Sequence, residues 1–191
     1  MAPALVMKNV SKRFPGTIAV DDVSFEVYPG EVHALVGENG AGKSTLMKML
    51  AGSFDDYTGT ITVNGRVEKL HSPTTAKKCG IGMIYQELSL ARPISITENL
   101  LAGRLPRKGL LLDRKRAREQ AGELLQHVGL ELNADLPIED ISQHEAQLVE
   151  IAKVLGNNPT ILVMDEPTSA LSREEVDRLF SPAPVVISRL D

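Results

Sequence analysis

The chain has 191 residues, 42% apolar and 24% charged, which bounds it as one globular domain with enough apolar material for a core. A net charge of -4, an aromatic content of 4% and the lack of Trp argue against a broad basic grip on nucleic acid and against a stacking platform for single strands. A single cysteine, Cys79, excludes an internal disulfide and suits a reducing compartment, where it reads as a small apolar filler.

Met1 to Lys12 lacks a basic stretch followed by an apolar run, so no signal peptide is expected. Apolar runs such as Ile161 to Met164 fall far short of the roughly 20 residues that span a bilayer, so any membrane role is expected to be peripheral, through a partner. Val6, Val10, Val20, Val23, Phe25 and Val27 fall in short β-rich segments, punctuated by Pro15-Gly16 and Pro29-Gly30 as turns. Val32 to Val36 is an apolar strand that runs straight into the glycine-rich stretch Gly37 to Gly42. Lys43 to Ala51 is predicted helical, with Leu46, Met49 and Leu50 on one side and Gly52 as its stop.

Thr60 to Val63 alternates like a strand, and Asn64-Gly65 is the strongest hairpin dipeptide available. Ile81 to Tyr85 is another short apolar strand. Helices are then predicted for Thr97 to Leu101 and for Arg114 to Val128, the second with Ala117, Ala121, Leu124, Leu125 and Val128 on one face. Ser142 to Leu155 is helical again, with Leu148, Ile151, Ala152 and Leu155 as the buried stripe. Asn157, Asn158 and Pro159 break it before the strand Thr160 to Met164. Glu174 to Phe180 begins a last helix, stopped at Ser181-Pro182-Ala183-Pro184, and Val185 to Ile187 begins one more strand.

Two motifs carry chemistry. Gly37-Glu38-Asn39-Gly40-Ala41-Gly42-Lys43-Ser44 fits the G-x-x-x-x-G-K-[ST] phosphate loop, and it lies between a strand and a helix as that loop must. The glycines let backbone N–H groups turn inward as an anion nest, and the helix starting at Lys43 adds its N-terminal dipole. Lys43 is expected to reach the β- and γ-phosphates, and the Ser44 hydroxyl to ligate Mg²⁺. In the second motif, four apolar residues from Ile161 to Met164 deliver Asp165 and Glu166 to the C-terminal edge of a strand. Alone, that pattern is commonly a solvated strand end. Downstream of a phosphate loop, Asp165 reads as a Mg²⁺ holder and Glu166 as the general base that polarises the attacking water.

These motifs, with Asp165-Glu166-Pro167-Thr168-Ser169-Ala170-Leu171 and Tyr85-Gln86-Glu87, resemble the phosphate loop, Q-loop, Walker B and D-loop of ABC-type ATPases. Ile81 to Leu88, Ser95 to Arg104 and Val149 to Lys153 resemble the N-terminal half of the double ATPase subunits that drive import of ribose, galactose, xylose and similar sugars. The resemblance covers almost the whole chain. It implies an α/β P-loop NTPase of ABC type: a mixed sheet core, an antiparallel β subdomain and an inserted α-helical subdomain over residues 90–155.

The same resemblance implies ATP and Mg²⁺ as cofactors. Nucleotide would be held by Gly37, Glu38, Asn39, Gly40, Ala41, Gly42, Lys43, Ser44 and Thr45, and the metal by Ser44, Gln86 and Asp165. Glu166, Lys43 and Gln86 would serve catalysis. Phe14 resembles the aromatic that stacks on adenine, although beside Pro15-Gly16 it reads equally as a core or turn residue. Gln86 alone reads as a surface amide. The partners implied are a second ATPase half, facing Ser169 to Leu171, and membrane permease subunits that dock on the helical subdomain. The location implied is cytoplasmic, peripheral at the inner face of the plasma membrane.

Two departures from the family pattern stand out. The signature motif, usually close to Leu-Ser-Gly-Gly-Gln, is Ile141-Ser142-Gln143-His144-Glu145 here, so both glycine positions are filled. Ser142 is kept as a hydroxyl donor and helix N-cap. Val185 to Asp191 resembles the segment that usually carries a switch histidine, yet no histidine follows Asp165. An internal loss and a C-terminal truncation are therefore expected, with binding machinery present and hydrolysis machinery incomplete.

Overall fold

The computed structural model describes residues 1–165 and the backbone of Val185–Arg189. Two compact units divide the chain. One comprises Met1–Gln86 with the chain from Asn158 onward, and the other comprises Glu87–Asn157.

The first unit opens with two long strands, β1 (Leu5–Phe14) and β2 (Thr17–Val27), paired antiparallel. They are longer than the short segments expected from the valine pattern. The reason lies in bulges: the register shifts between Met7 and Val10, and Asn9 and Asp22 both take φ near 50°. Each bulge breaks the period-two alternation that would have announced one continuous strand. Side chains stabilise the irregularity, with Asn9 Nδ2 donating to Asp22 Oδ1 at 2.8 Å and the Asp22 amide donating to Ser11 Oγ at 2.8 Å.

Strands β4 (Thr58–Val63) and β5 (Arg66–Glu68) pair antiparallel in a hairpin closed at Asn64-Gly65. Both turn residues have positive φ, 49° and 79°, as a type I′ turn demands. The antiparallel sheet runs in the order β2-β1-β4-β5.

A second, parallel sheet combines β3 (Val32–Leu35), β6 (Ile81–Ile84), β9 (Ile161–Met164) and β10 (Val185–Arg189) in the order β3-β10-β9-β6. All four residues of β9 are buried, as expected for an uninterrupted apolar run between two neighbours. Helix α1 (Lys43–Leu50) buries Leu46, Met47, Met49 and Leu50 into a core shared with Leu5, Met7, Ile61, Ile161 and Val163. Each such side chain contributes about 1.5–3 kcal/mol on burial. A six-residue helix, α2 (Pro73–Lys78), was not expected from periodicity. Its start is written locally, because Ser72 accepts from the Thr75 amide at 3.2 Å and Pro73 fills the first helical position.

The second unit is helical. It holds α3 (Ile96–Leu100), the small ribbon β7 (Arg107–Lys108) and β8 (Leu111–Leu112), α4 (Arg114–His127) and α5 (Gln143–Leu155). Ser95 and Glu98 form a reciprocal capping box on α3, and Ser142 and Glu145 form another on α5. Asn99 is buried, and its side chain satisfies the Ala91 amide and the carbonyls of Ala91 and Ser95, which fastens the loop before α3. On α4 the buried positions are Ala117, Ala121 and Leu125, with Leu124 only half-buried. On α5 the buried stripe is broader than expected: Val149 and Glu150 join it, whereas Leu155 is half-buried. The helix predicted from Glu174 to Phe180 lies outside the described residues.

Candidate phosphate-binding site

Parallel pairing decides where the motifs meet. Ser188 pairs with both Ala34 and Met164, and Met164 pairs with Ile84, so β3, β10, β9 and β6 end level with one another. The loop Gly37 to Gly42 leaves that edge from β3, Gln86 from β6 and Asp165 from β9. Ligands of open α/β sheets bind beyond the carboxyl ends of their strands. The structure therefore brings the phosphate-loop residues, Gln86 and Asp165 to one edge, although some 120 residues of sequence separate the loop from Asp165.

Within the loop, Gly37, Glu38, Asn39, Gly40 and Ala41 are exposed, Ser44 and Thr45 are half-buried, and Lys43 is buried. The Ala41 amide donates to the Glu38 carbonyl at 3.1 Å and closes a tight turn. Gly42 is the N-cap of α1 in the left-handed region, φ 88°, with no side-chain cap. A Cβ there would meet the Ala19 carbonyl oxygen at 2.1 Å, so the backbone of β2 stands directly behind the loop. The ammonium of Lys43 turns back onto its own loop, donating to the carbonyl of Gly37 and, at 3.4 Å, to that of Glu38. A cation is thus held at a concave, glycine-rich helix start, which suits an anion with several oxygens.

Asp165 is 8% exposed, and its amide extends the ladder by donating to the Ile84 carbonyl at 3.0 Å. Gln86 is exposed two residues beyond β6. Glu166 and Ser169 to Leu171 lie outside the described residues. Hydroxyl, amide and carboxylate oxygens at one edge are the hard donor set that Mg²⁺ takes, so Ser44, Gln86 and Asp165 fit that ion chemically.

Phe14 stands at the end of β1. Its ring meets Phe54 edge-on, with centroids 5.4 Å apart at 74°, and the Lys12 ammonium lies 4.6 Å above it. Lys12 is buried and paired to Asp56. The ribbon carrying Phe14 reaches the phosphate loop through Ala19 behind Gly42. The Phe14–Phe54–Lys12 cluster was not foreseen; two aromatics 40 residues apart leave no local signal.

His144 in the altered signature is exposed, and Ser142 Oγ donates to Glu145 Oε2 at 2.6 Å. The capping serine holds the Glu145 carboxyl below its usual range, through the hydroxyl first and the Ser142 amide second. Glu150 was missed as a buried polar group, because it reads as one charge within an apolar helix face. It is 3% exposed, accepts from Ser89 Oγ at 2.5 Å, and has Lys153 at 3.6 Å from its other oxygen. Cys79 packs against the core, and burial, with Glu68 beside it, pushes its thiol pKa up, as befits an inert filler.

Among the described residues no helix is long and apolar enough to cross a membrane. The family model for ABC transporters matches residues 20–169. An arabinose import ATP-binding protein of Shigella sonnei is 44% identical over 93% of this chain and 35% of its own length. A ribose import ATP-binding protein of Rubrobacter xylanophilus is 45% identical over 94% of this chain and 36% of its own. The chain therefore spans about a third of the length of the curated relatives it matches. A nucleotide-free ATP-binding cassette from an ABC transporter shares the fold, with TM-score 0.83 and 24% identity across 100% of this chain and 82% of that one. The matched model covers more than half of the residues, and the chain belongs to the ABC transporter family.

Proposed function

We propose that this chain binds Mg·ATP and belongs to an ATPase that energises import of a sugar, as the names of its relatives suggest. The observation that carries the reading is the single sheet edge from which the phosphate loop, Gln86 and Asp165 all emerge. Lys43 and the amides of Gly40 to Thr45 cradle the phosphates, and Lys43 exchanges the loop carbonyls for phosphate oxygens. Ser44, Gln86 and Asp165 hold Mg²⁺, which when bound neutralises charge on the phosphate oxygens. Glu166 orients a water and accepts its proton as the oxygen attacks the terminal phosphorus, giving ADP and phosphate. Phe14 offers its exposed face to the adenine. Outside the chain, the reading implies a second ATPase half, a permease docked on the helical unit, and residence at the cytoplasmic face of the membrane.

A second reading, nucleotide binding with little turnover, has its own observation. The signature serine, Ser142, gives its hydroxyl proton to Glu145 within its own helix, and His144 fills a glycine position beside it. A hydroxyl so engaged is a poor donor to a phosphate on another half. One set of measurements decides between the two: Mg·ATP binding and phosphate release by this chain, beside Lys43→Ala and Glu166→Gln. Turnover abolished by Glu166→Gln supports the working ATPase. Binding without turnover supports the second reading, and no binding by the parent chain defeats both.

A further inference from the structure

The ribbon β7–β8 exposes apolar side chains on all its sides. Arg107 pairs with Leu112 and Lys108 with Leu111, leaving Gly109 and Leu110 as the turn. Leu110 is 98% exposed, Leu111 76% and Leu112 50%. Successive residues of a strand point to opposite faces, so Leu111 and Leu112 load both faces while Leu110 occupies the tip. Single exposed leucines are ordinary, but three in succession on a projecting turn are a patch that wants cover. A folded partner covers one face of such a ribbon readily. A fluid apolar medium covers two faces and a tip together, with no matching groove required.

Cations frame the leucines. Arg107 and Lys108 occupy the facing strand, and Arg114, Lys115 and Arg116 open α4 directly after β8; all five are exposed. Lys115 faces Glu119 at 3.9 Å, and Arg114 lies close enough to Glu98 to help hold that carboxyl down. Arg107, Lys108 and Arg116 have no carboxylate at ion-pair distance among the described residues. This concentration of positive charge stands on a chain whose net charge is -4, so it is local rather than general.

We propose that this ribbon is a direct anchor to an anionic bilayer surface. Leu110, Leu111 and Leu112 enter the boundary of the acyl chains, and Arg107 and Lys108 remain at the level of the headgroups, their stems along the leucines. Anionic lipid is the matching occupant because the frame is cationic and the leucines share no single face.

The test is co-sedimentation of the whole 191-residue chain, without nucleotide, with protein-free vesicles. One set is phosphatidylcholine alone, and the other contains about 30% phosphatidylserine. The chain is expected to partition onto the anionic vesicles and to be released by high salt. Leu110→Ser and Leu111→Ser should each weaken that partition about tenfold, and Lys108→Glu should do so at low salt. Leu110 is almost fully exposed, so Leu110→Ser melts like the parent and its loss reports the surface. Equal binding to both vesicles overturns the proposal, as does binding that Leu110→Ser leaves unchanged. Failure to bind either set of protein-free vesicles also overturns it. Because no nucleotide is used, failure here is distinct from failure of the ATP-site reading.

Discussion

Gly42 lies so close to Ala19 that a Cβ at residue 42 would stand 2.1 Å from the Ala19 carbonyl oxygen. The neighbour is backbone and cannot swing away. Gly42 also holds φ at 88°, where a side chain is strained by about 1–3 kcal/mol even in open space. Gly42→Ala is therefore expected to cost at least about 3 kcal/mol in urea unfolding and to abolish nucleotide binding. Gly40, at φ 87° with nothing near its missing Cβ, should lose only about 1 kcal/mol as Gly40→Ala. Equal losses for the two would refute the close approach to β2.

Lys43 is held by its own loop, so Lys43→Ala has two separable effects. Without nucleotide the variant loses a charge-assisted bond to the Gly37 carbonyl, worth about 1.5 kcal/mol, which a denaturation midpoint reads. With Mg·ATP at a hundred times its Kd, the parent gains about 2.7 kcal/mol by linkage, seen as a raised Tm. Lys43→Ala should show almost none of that increment. A variant that keeps the full increment would place the phosphates elsewhere.

The buried carboxylate of Glu150 joins Ser89 to α5, with Lys153 alongside and donating to the Ser89 carbonyl at 2.9 Å. Glu150→Ala leaves the Ser89 hydroxyl without its acceptor and the Lys153 ammonium without its counter-charge, and is expected to cost about 3 kcal/mol. Glu150→Gln retains an oxygen for Ser89 and should cost about half as much. Urea titration of both variants checks the order; Glu150→Gln as the worse of the two would contradict it.

Acid should loosen the helical unit through its two capping boxes. Hydrogen bonds from Ser95 hold Glu98, and those from Ser142 hold Glu145, below the ordinary value of 4.5. A depressed folded pKa means the folded state resists the proton. The stability it contributes is complete above 4.5 and is lost as pH falls through the lower folded value. Tm should thus be insensitive to these groups from pH 7 to about 5 and decline below 4.5. The double variant Glu98→Gln with Glu145→Gln should flatten that decline; an unchanged slope would remove the boxes as its source.

Much of this was legible in the chain. The glycine-rich turn before α1, the Asn64-Gly65 hairpin, the serine cap at Ser142, and the apolar face of α4 depend on neighbours within a few residues. Local sterics and helix periodicity act over that range and leave their mark in the residue order. Bulges at Asn9 and Asp22 hid the length of β1 and β2 for the opposite reason: the hydrogen bonds that stabilise them cross between strands. The helix Pro73–Lys78 was too short to show a period, though its Ser-Pro start was visible.

What the sequence determined by itself was the identity of the chemical groups: a glycine-rich stretch from Gly37 to Gly42 running into Lys43 and Ser44, and oxygen-bearing side chains at Ser44, Gln86 and Asp165. Tertiary structure alone decided their company. The order β3-β10-β9-β6 puts Val185–Arg189 between strands that precede it by some 150 and 20 residues, and so aligns the loop edge with Asp165. It also placed Ala19 behind Gly42, buried Glu150 against Ser89, and left Leu110 to Leu112 uncovered. Strand partners and burial are set by which surfaces meet across long stretches of chain, and no window of local sequence carries that information.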